Sequence, residues 1–171
     1  GETAERAAEH GLADPEIVVG EWGLYPMVTE DVPWPGMDTM AGSAYVAGMF
    51  NAFIRNSDVL ARACHTHFPT RMIPPATNPI QPVGYTLKLY ADVFTEDRDW
   101  TVIGTSVDGG TRDLPETGDR IREMADVPYV DAVAVATPGT EAVCTFLANR
   151  DLRSERTVEI PIPAAVDAET A

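Results

Sequence analysis

In residues 1–95, segments with the apolar pattern of a strand alternate with segments that have the apolar pattern of a helix. The run Ile17–Trp22 is largely apolar at consecutive positions, as in a strand of a parallel sheet that is buried on both faces. Between Met40 and Ala61, apolar residues recur every four positions, which predicts a helix with a broad apolar stripe and Asp38 as its N-cap. A second strand is predicted at Ala63–Phe68.

Two further helices complete this part of the chain. Glu2–His10 is helix-like and is followed by Gly11, a residue that commonly stops a helix, and Val83–Phe94 carries apolar residues on one helical face. The order helix, strand, helix, strand, helix indicates α/β architecture. Two parallel strands would leave sheet edges and an apolar face open, so we expect a fragment of a longer protein or one part of a split barrel.

The apolar runs become shorter and strand-like in residues 96–171. Pro138-Gly139 lies between two of them and predicts a hairpin. The polar stretch Asp108–Asp126 is expected to form an exposed loop or to hold one short helix. We therefore predict an antiparallel β-sandwich in this part of the chain. The predicted strands are Trp100–Val107, Tyr129–Thr137, Ala142–Asn149 and Thr157–Ile162.

Charge and composition exclude several classes of protein. The chain of 171 residues carries 27 acidic and 12 basic residues, and a surface with this formal charge of −15 disfavours nucleic-acid binding. No apolar run approaches the roughly 20 residues that span a bilayer. No signal peptide is visible, so we expect a cytoplasmic protein without membrane attachment. Cys64 and Cys144 are too few for a disulfide scaffold, and we expect both to be buried.

Glu21 is the first candidate for a catalytic residue. It lies at the carboxyl end of a predicted parallel strand, where α/β barrels hold catalytic groups rigidly. The neighbouring Trp22 is expected to exclude part of the water from this carboxylate, which suits a nucleophile or a general acid. The alternative is a solvated loop carboxylate that merely follows a strand.

Two histidines and a tryptophan are further candidates. His65 and His67 alternate along one strand, so their side chains project to the same face. We expect them to line a polar pocket or to be satisfied barrel-interior groups, since His10 is the only other histidine and two ligands do not make a zinc site. Trp34 lies between two prolines, where it either stacks on a sugar ring or packs over the barrel. We expect no metal ion.

Taken in order along the chain, these segments resemble the C-terminal half of the α-L-arabinofuranosidases of glycoside hydrolase family 51. The resemblance rests on Ile17–Trp22, on the block Phe50–Val59, on the helix Tyr85–Phe94 and on the late strand Val143–Arg150. It implies the C-terminal part of a (β/α)8 TIM barrel in residues 1–95, supplying its last two strands with their helices. An antiparallel β-sandwich in residues 96–171 would follow.

The resemblance also implies a reaction. Members of this family retain anomeric configuration, so Glu21 would form a covalent glycosyl-enzyme while a glutamate upstream of Gly1 acts as acid and base. Tyr25 would wall the sugar pocket, and His67 would stand where a glutamine contacts the sugar. The implied partner is a carbohydrate substrate, no cofactor is needed, and a homo-oligomer is expected. Without the second carboxyl, residues 1–171 alone should be inactive.

Two glycines depart from the family pattern. Gly20 and Gly23 stand where the family has aspartate before the nucleophile and asparagine after the tryptophan. The first hypothesis is a glycosidase that releases terminal arabinofuranosyl residues from arabinose-containing oligosaccharides and polysaccharides. The glycines keep two alternatives open, an endoglucanase-type relative and a non-catalytic carbohydrate-binding or scaffold protein on a decayed barrel.

Overall fold

The computed structural model describes residues 2–11, 16–23, 39–66, 80–94, 98–116, 122–151 and 153–161. The chain divides into two compact units, Gly1–Tyr90 and Ala91–Ala171. The described residues contain sheets of two and three strands and no closed barrel. The identification of the units as the end of a TIM barrel and a β-sandwich therefore stays a prediction.

Helices and strands alternate in the first unit, and strands predominate in the second. The described helices are α1 (Glu2–Glu9), α2 (Met40–Arg55), α3 (Pro82–Phe94) and a short 3₁₀-helix (Pro138–Thr140). The described strands are β1 (Ile17–Trp22), β2 (Leu60–His65), β3 (Thr101–Ile103), β4 (Thr111–Leu114), β5 (Met124–Pro128), β6 (Val130–Ala136) and β7 (Val143–Asn149).

The first unit has the predicted element order, with two corrections at the ends of α2. Thr39, and not Asp38, is the N-cap, because the Thr39 hydroxyl accepts a hydrogen bond from Gly42 N at 3.1 Å. The helix ends at Arg55 instead of Ala61. The chain turns there, since Leu60 N donates to Asn56 O at 2.8 Å, and β2 consequently begins earlier than the sequence predicts.

Strands β1 and β2 pair in parallel, and the helices bury one face of this small sheet. Trp22, Val46 and Val83 form the buried centre of the core, one from each of β1, α2 and α3. The opposite face is open, and Val18 is 60% exposed. The prediction that β1 is buried on both faces is therefore wrong for the described residues, because the packing around this core comes from the helix side.

A buried polar contact connects α3 to α2 within the same unit. The Tyr90 hydroxyl lies 2.7 Å from Asn51 Oδ1 and 3.1 Å from Ala47 O, and Asn51 is fully buried. The Tyr90 ring also stacks on Phe50, with 4.8 Å between ring centroids. Since a buried polar group is costly to leave unpaired, this contact favours one register of the two helices.

Strand β6 is the centre of the second unit. It pairs antiparallel with β3 and with β7, and residues 131–136 are all buried. The predicted hairpin between β6 and β7 is confirmed, and Gly139 supplies the positive φ of +71° that its turn requires.

Three predictions for the second unit need correction. The polar stretch Asp108–Asp126 is not only loop, because β4 pairs antiparallel with β5 across it, and residues 122–126 form no helix. The predicted strand Trp100–Val107 shortens to β3. Residues 157–161 do not form the predicted strand. The segment before them, residues 153–156, is held by contacts with the side chains of Asn149 and Asp151.

Asp151 holds this segment after β7. Its Oδ1 accepts a hydrogen bond from Arg153 N at 3.0 Å, and its Oδ2 pairs with the Arg156 guanidinium. Arg156 also lies over the Tyr129 ring, 4.1 Å from the centroid. The Arg153 backbone amide, and after it the Arg156 side chain, lower the pKa of Asp151 from its ordinary value of 3.8.

We expect acid to release this segment only below pH 3.8. A carboxylate whose pKa is lower in the folded state stabilises the fold fully above the unfolded pKa, and this stabilisation is lost as the pH falls through the folded pKa. An NMR titration of the Asp151 carboxyl should give a midpoint below 3.8. Arg156→Gln should move the midpoint only part of the way back, because the Arg153 amide remains. A midpoint at or above 3.8 in the unmodified chain would contradict the described contacts.

Candidate active site at the ends of the parallel strands

The carboxyl ends of β1 and β2 meet at one edge of the first unit. Because the strands are parallel, Glu21 and Trp22 share this edge with His65 and Thr66. Trp22 and His65 are partners in the ladder, with 4.7 Å between their ring centroids, and Thr66 N donates to Trp22 O at 2.8 Å. Three of the predicted site residues, Glu21, Trp22 and His65, are thus brought to one edge.

An irregularity in β1 sets the direction of Glu21. Val19 pairs with Ala63 and Trp22 with His65, so three steps along β1 match two along β2 and one residue of β1 is extra. Regular alternation would turn Val19 and Glu21 to the same side. The extra residue instead lets Val19 and Trp22 both pack towards the helices, while Glu21 is exposed. Bulges of this kind commonly redirect side chains at functional sites.

Trp22 fixes the strand end from the buried side. Only 6% of it is exposed, and its ring meets Phe50 and Phe53 edge to face, with centroid distances of 5.3 and 5.0 Å. The expectation that Trp22 shields the Glu21 carboxylate from water is wrong, because the indole turns into the core and Glu21 remains exposed. Trp22 anchors the backbone of its neighbour instead.

Two polar atoms at this edge have no hydrogen-bond partner among the described residues. They are Trp22 Nε1 and Thr66 Oγ1, and both are buried. Buried polar groups in native proteins nearly always have a partner, from protein or from bound solvent. This unused hydrogen-bonding capacity lies on the buried side of the edge, whereas the Glu21 carboxylate is exposed.

The other predicted site residues, Tyr25, Trp34 and His67, lie outside the described residues. His65 is half-buried and its ring is in contact with Trp22. Within the described ranges, no group of three or more His, Cys, Asp or Glu side chains is placed to hold a metal ion.

Sequence reasoning missed two residues at this edge. Thr66 acts through its backbone amide, for which the sequence carries no signal. Tyr45 donates its hydroxyl to Gly23 O at 3.2 Å, although its four-residue spacing with other apolar residues indicates only a place in the stripe of α2. The bulge had one available signal, since a glycine inside a strand, here Gly20, often marks such an irregularity.

The cysteines are separate from this chemistry. Cys64 is exposed on β2, so the prediction that it is buried is wrong; it lies between Ala63 and His65, which face the helices. Cys144 is half-buried on β7, and burial raises the pKa of its thiol. A raised pKa leaves less of the thiolate that reacts with electrophiles.

Comparisons with known proteins add no family to these observations. No protein-family description, curated protein or solved structure matches the chain. The resemblance to glycoside hydrolase family 51 thus rests on the sequence motifs alone. Across the described ranges, none of the helices combines the length and the apolar character needed to cross a membrane.

Proposed function

We propose that the chain supplies the nucleophile of a retaining glycoside hydrolase that acts on terminal α-L-arabinofuranosyl residues. The observation that carries this proposal is the exposed Glu21 carboxylate at the carboxyl edge of two parallel strands. Trp22, buried beside it, holds the backbone that carries this carboxylate. A nucleophile needs both properties, since it must reach the anomeric carbon and be rigidly placed.

The reaction follows from a pair of carboxyl groups. The Glu21 carboxylate attacks the anomeric carbon as the glycosidic carbon–oxygen bond breaks, and the leaving oxygen takes a proton from a second carboxylic acid. Water then attacks the glycosyl ester, giving its proton to that second carboxylate and releasing Glu21. We assign the second carboxyl to the polypeptide upstream of Gly1, as the family resemblance implies, at about 5 Å from Glu21.

A larger glycan is the second candidate substrate, as in an endoglucanase-type relative. At Gly20, a Cβ atom would meet no other atom within 4 Å. The edge beside Glu21 therefore has free space where the family carries an aspartate side chain. The missing aspartate side chain is the observation on which this second candidate rests. A non-catalytic carbohydrate-binding protein on the same scaffold would use the same edge without forming a bond to Glu21.

Covalent labelling distinguishes these three candidate functions. The polypeptide that contains residues 1–171 and the upstream carboxyl is treated with an activated, fluorinated arabinofuranoside, which slows hydrolysis of the glycosyl-enzyme. Peptide mass spectrometry should then find one sugar adduct on the peptide that contains Glu21. Glu21→Gln should abolish the adduct, whereas Glu16→Gln, an exposed acid just before β1, should leave it unchanged.

Each alternative predicts a different labelling result. A carbohydrate-binding protein would bind oligosaccharides and show no adduct. An endoglucanase-type enzyme would be labelled at Glu21 only by the corresponding fluorinated glucoside. An adduct on any other acidic residue would contradict the assignment of Glu21.

A further inference from the structure

Two successive backbone carbonyls after Glu21 are held by different elements. Trp22 O accepts from Thr66 N at 2.8 Å, which continues the parallel ladder by one residue. Gly23 O accepts from the Tyr45 hydroxyl at 3.2 Å, across 22 residues of sequence. The first contact belongs to the sheet, and the second comes from a helix side chain.

The second contact lies just beyond the end of the strand. Strand β1 ends at Trp22, so Gly23 has left the ladder, and glycine restricts the backbone less than any other residue. Tyr45, by contrast, belongs to a helix of 16 residues. That helix is fixed in the core by the fully buried Val46, next to Tyr45 in sequence. The Tyr45 hydroxyl thus connects Gly23, the residue that follows β1, to a helix that is fixed in the core.

Catalytic carboxylates depend on such support. A displacement of about 1 Å at a reacting group can cost on the order of a hundredfold in rate. Glu21 lies within an irregular part of β1, between Val19 and Trp22, where fewer ladder bonds fix the backbone. Residues on both sides of the irregularity must therefore set its position.

We propose that Tyr45 is a positioning residue for Glu21, acting through the carbonyl of Gly23. This inference rests on the proposed function, because it concerns the placement of the nucleophile. Tyr45 itself does not touch the reacting atoms. Its contribution is to hold the strand end so that the carboxylate occupies one position.

Tyr45→Phe tests the inference, since it keeps the ring and removes only the hydroxyl. In the polypeptide that carries both carboxyls, we expect kcat to fall about two- to tenfold, as for the loss of one hydrogen bond, with little change in KM. Tyr85→Phe is the matched control, because Tyr85 lies on α3 with 57% of its surface exposed. It should leave both constants unchanged.

Two further measurements show whether Tyr45 acts through Glu21. In a Glu21→Ala background, external azide replaces the carboxylate, so Tyr45→Phe should no longer lower the azide-dependent rate. Hydrogen exchange of a peptide containing Gly20–Gly23 should become faster with Tyr45→Phe and not with Tyr85→Phe. An equal loss of the azide-dependent rate would assign Tyr45 to the sugar pocket and overturn the inference.

Other outcomes are equally decisive. Unchanged kcat, or unchanged hydrogen exchange, in Tyr45→Phe would also overturn the positioning role. Failure of the proposed function would be seen separately, as full activity in Glu21→Ala alone. In that case Tyr45 has no nucleophile to position, and the inference falls together with the proposed function.

Discussion

Replacing Glu21 by alanine should abolish hydrolysis of an aryl α-L-arabinofuranoside by the polypeptide that carries both carboxyls. We expect kcat to fall by a factor on the order of 10⁴ or more, as is typical when a nucleophile is removed. The fold should persist, because Glu21 is exposed and the neighbouring Trp22 fills the core. The loss should therefore be chemical and not structural, which circular dichroism and thermal unfolding will show.

Adding external azide to the Glu21→Ala variant is a second test, in which activity should partly return. Azide can enter the space left by the carboxylate, attack the anomeric carbon and leave a glycosyl azide of inverted configuration. Partial recovery of aryl release together with that product, identified by NMR, would establish the role of Glu21. Glu16→Ala, which removes an exposed carboxylate five positions earlier, should retain full activity. Undiminished turnover in Glu21→Ala would remove Glu21 from the reaction.

Local apolar patterns predicted the elements around this site, because each pattern needs only its own segment. The consecutive apolar residues of Ile17–Trp22 and the helical spacing in Val83–Phe94 both correspond to elements of the structure. Segment ends were less predictable. Leu60 continues the apolar pattern of α2, yet it pairs with Ile17, and this long-range partner decides its conformation.

The direction of Glu21 could not be predicted from periodicity. Alternation along β1 would have turned Glu21 towards the helices and Trp22 to the open face. The extra residue between Val19 and Trp22 reverses both, and it exists only relative to the register of β2. The same holds for Tyr45, whose bond to Gly23 depends on the path of a distant strand end.

Apolar patterns also fail to predict part of the second unit, where polar residues form a strand. Thr111–Leu114 contains two charged residues in four, so apolar periodicity gives no strand there, although β4 pairs with β5. Asp131 lies within the apolar pattern that correctly predicts β6, but the sequence does not show what balances its charge. That balance comes from Arg150, one residue beyond β7.

Replacing Arg150 by alanine should be the most destabilising of the changes considered in the second unit. Arg150 Nη2 lies 2.8 Å from Asp131 Oδ2, and the Asp131 side chain is only 8% exposed. Asp131 pairs with Ala148 across the ladder, and Arg150, which follows the last residue of β7, lies two positions beyond Ala148 and within diagonal reach of Asp131. Its removal would take the Arg150 guanidinium away from a largely buried carboxylate. Loss of one partner from such a pair costs about 3–5 kcal/mol.

Asp131→Ala should lower the free energy of unfolding by less than Arg150→Ala does, because the two partners differ in exposure. Arg150 is 27% exposed and can regain contact with water after Asp131→Ala, so we expect about 2 kcal/mol for that variant, below the fully buried case. Arg153→Ala deletes an exposed arginine three positions away and should change the free energy of unfolding by less than about 0.5 kcal/mol. Urea-dependent hydrogen exchange of β6 amides measures all three variants in the second unit itself. Equal, small effects for Arg150→Ala and Arg153→Ala would show that the ion pair contributes nothing, and a larger loss for Asp131→Ala would reverse the assignment of the buried partner.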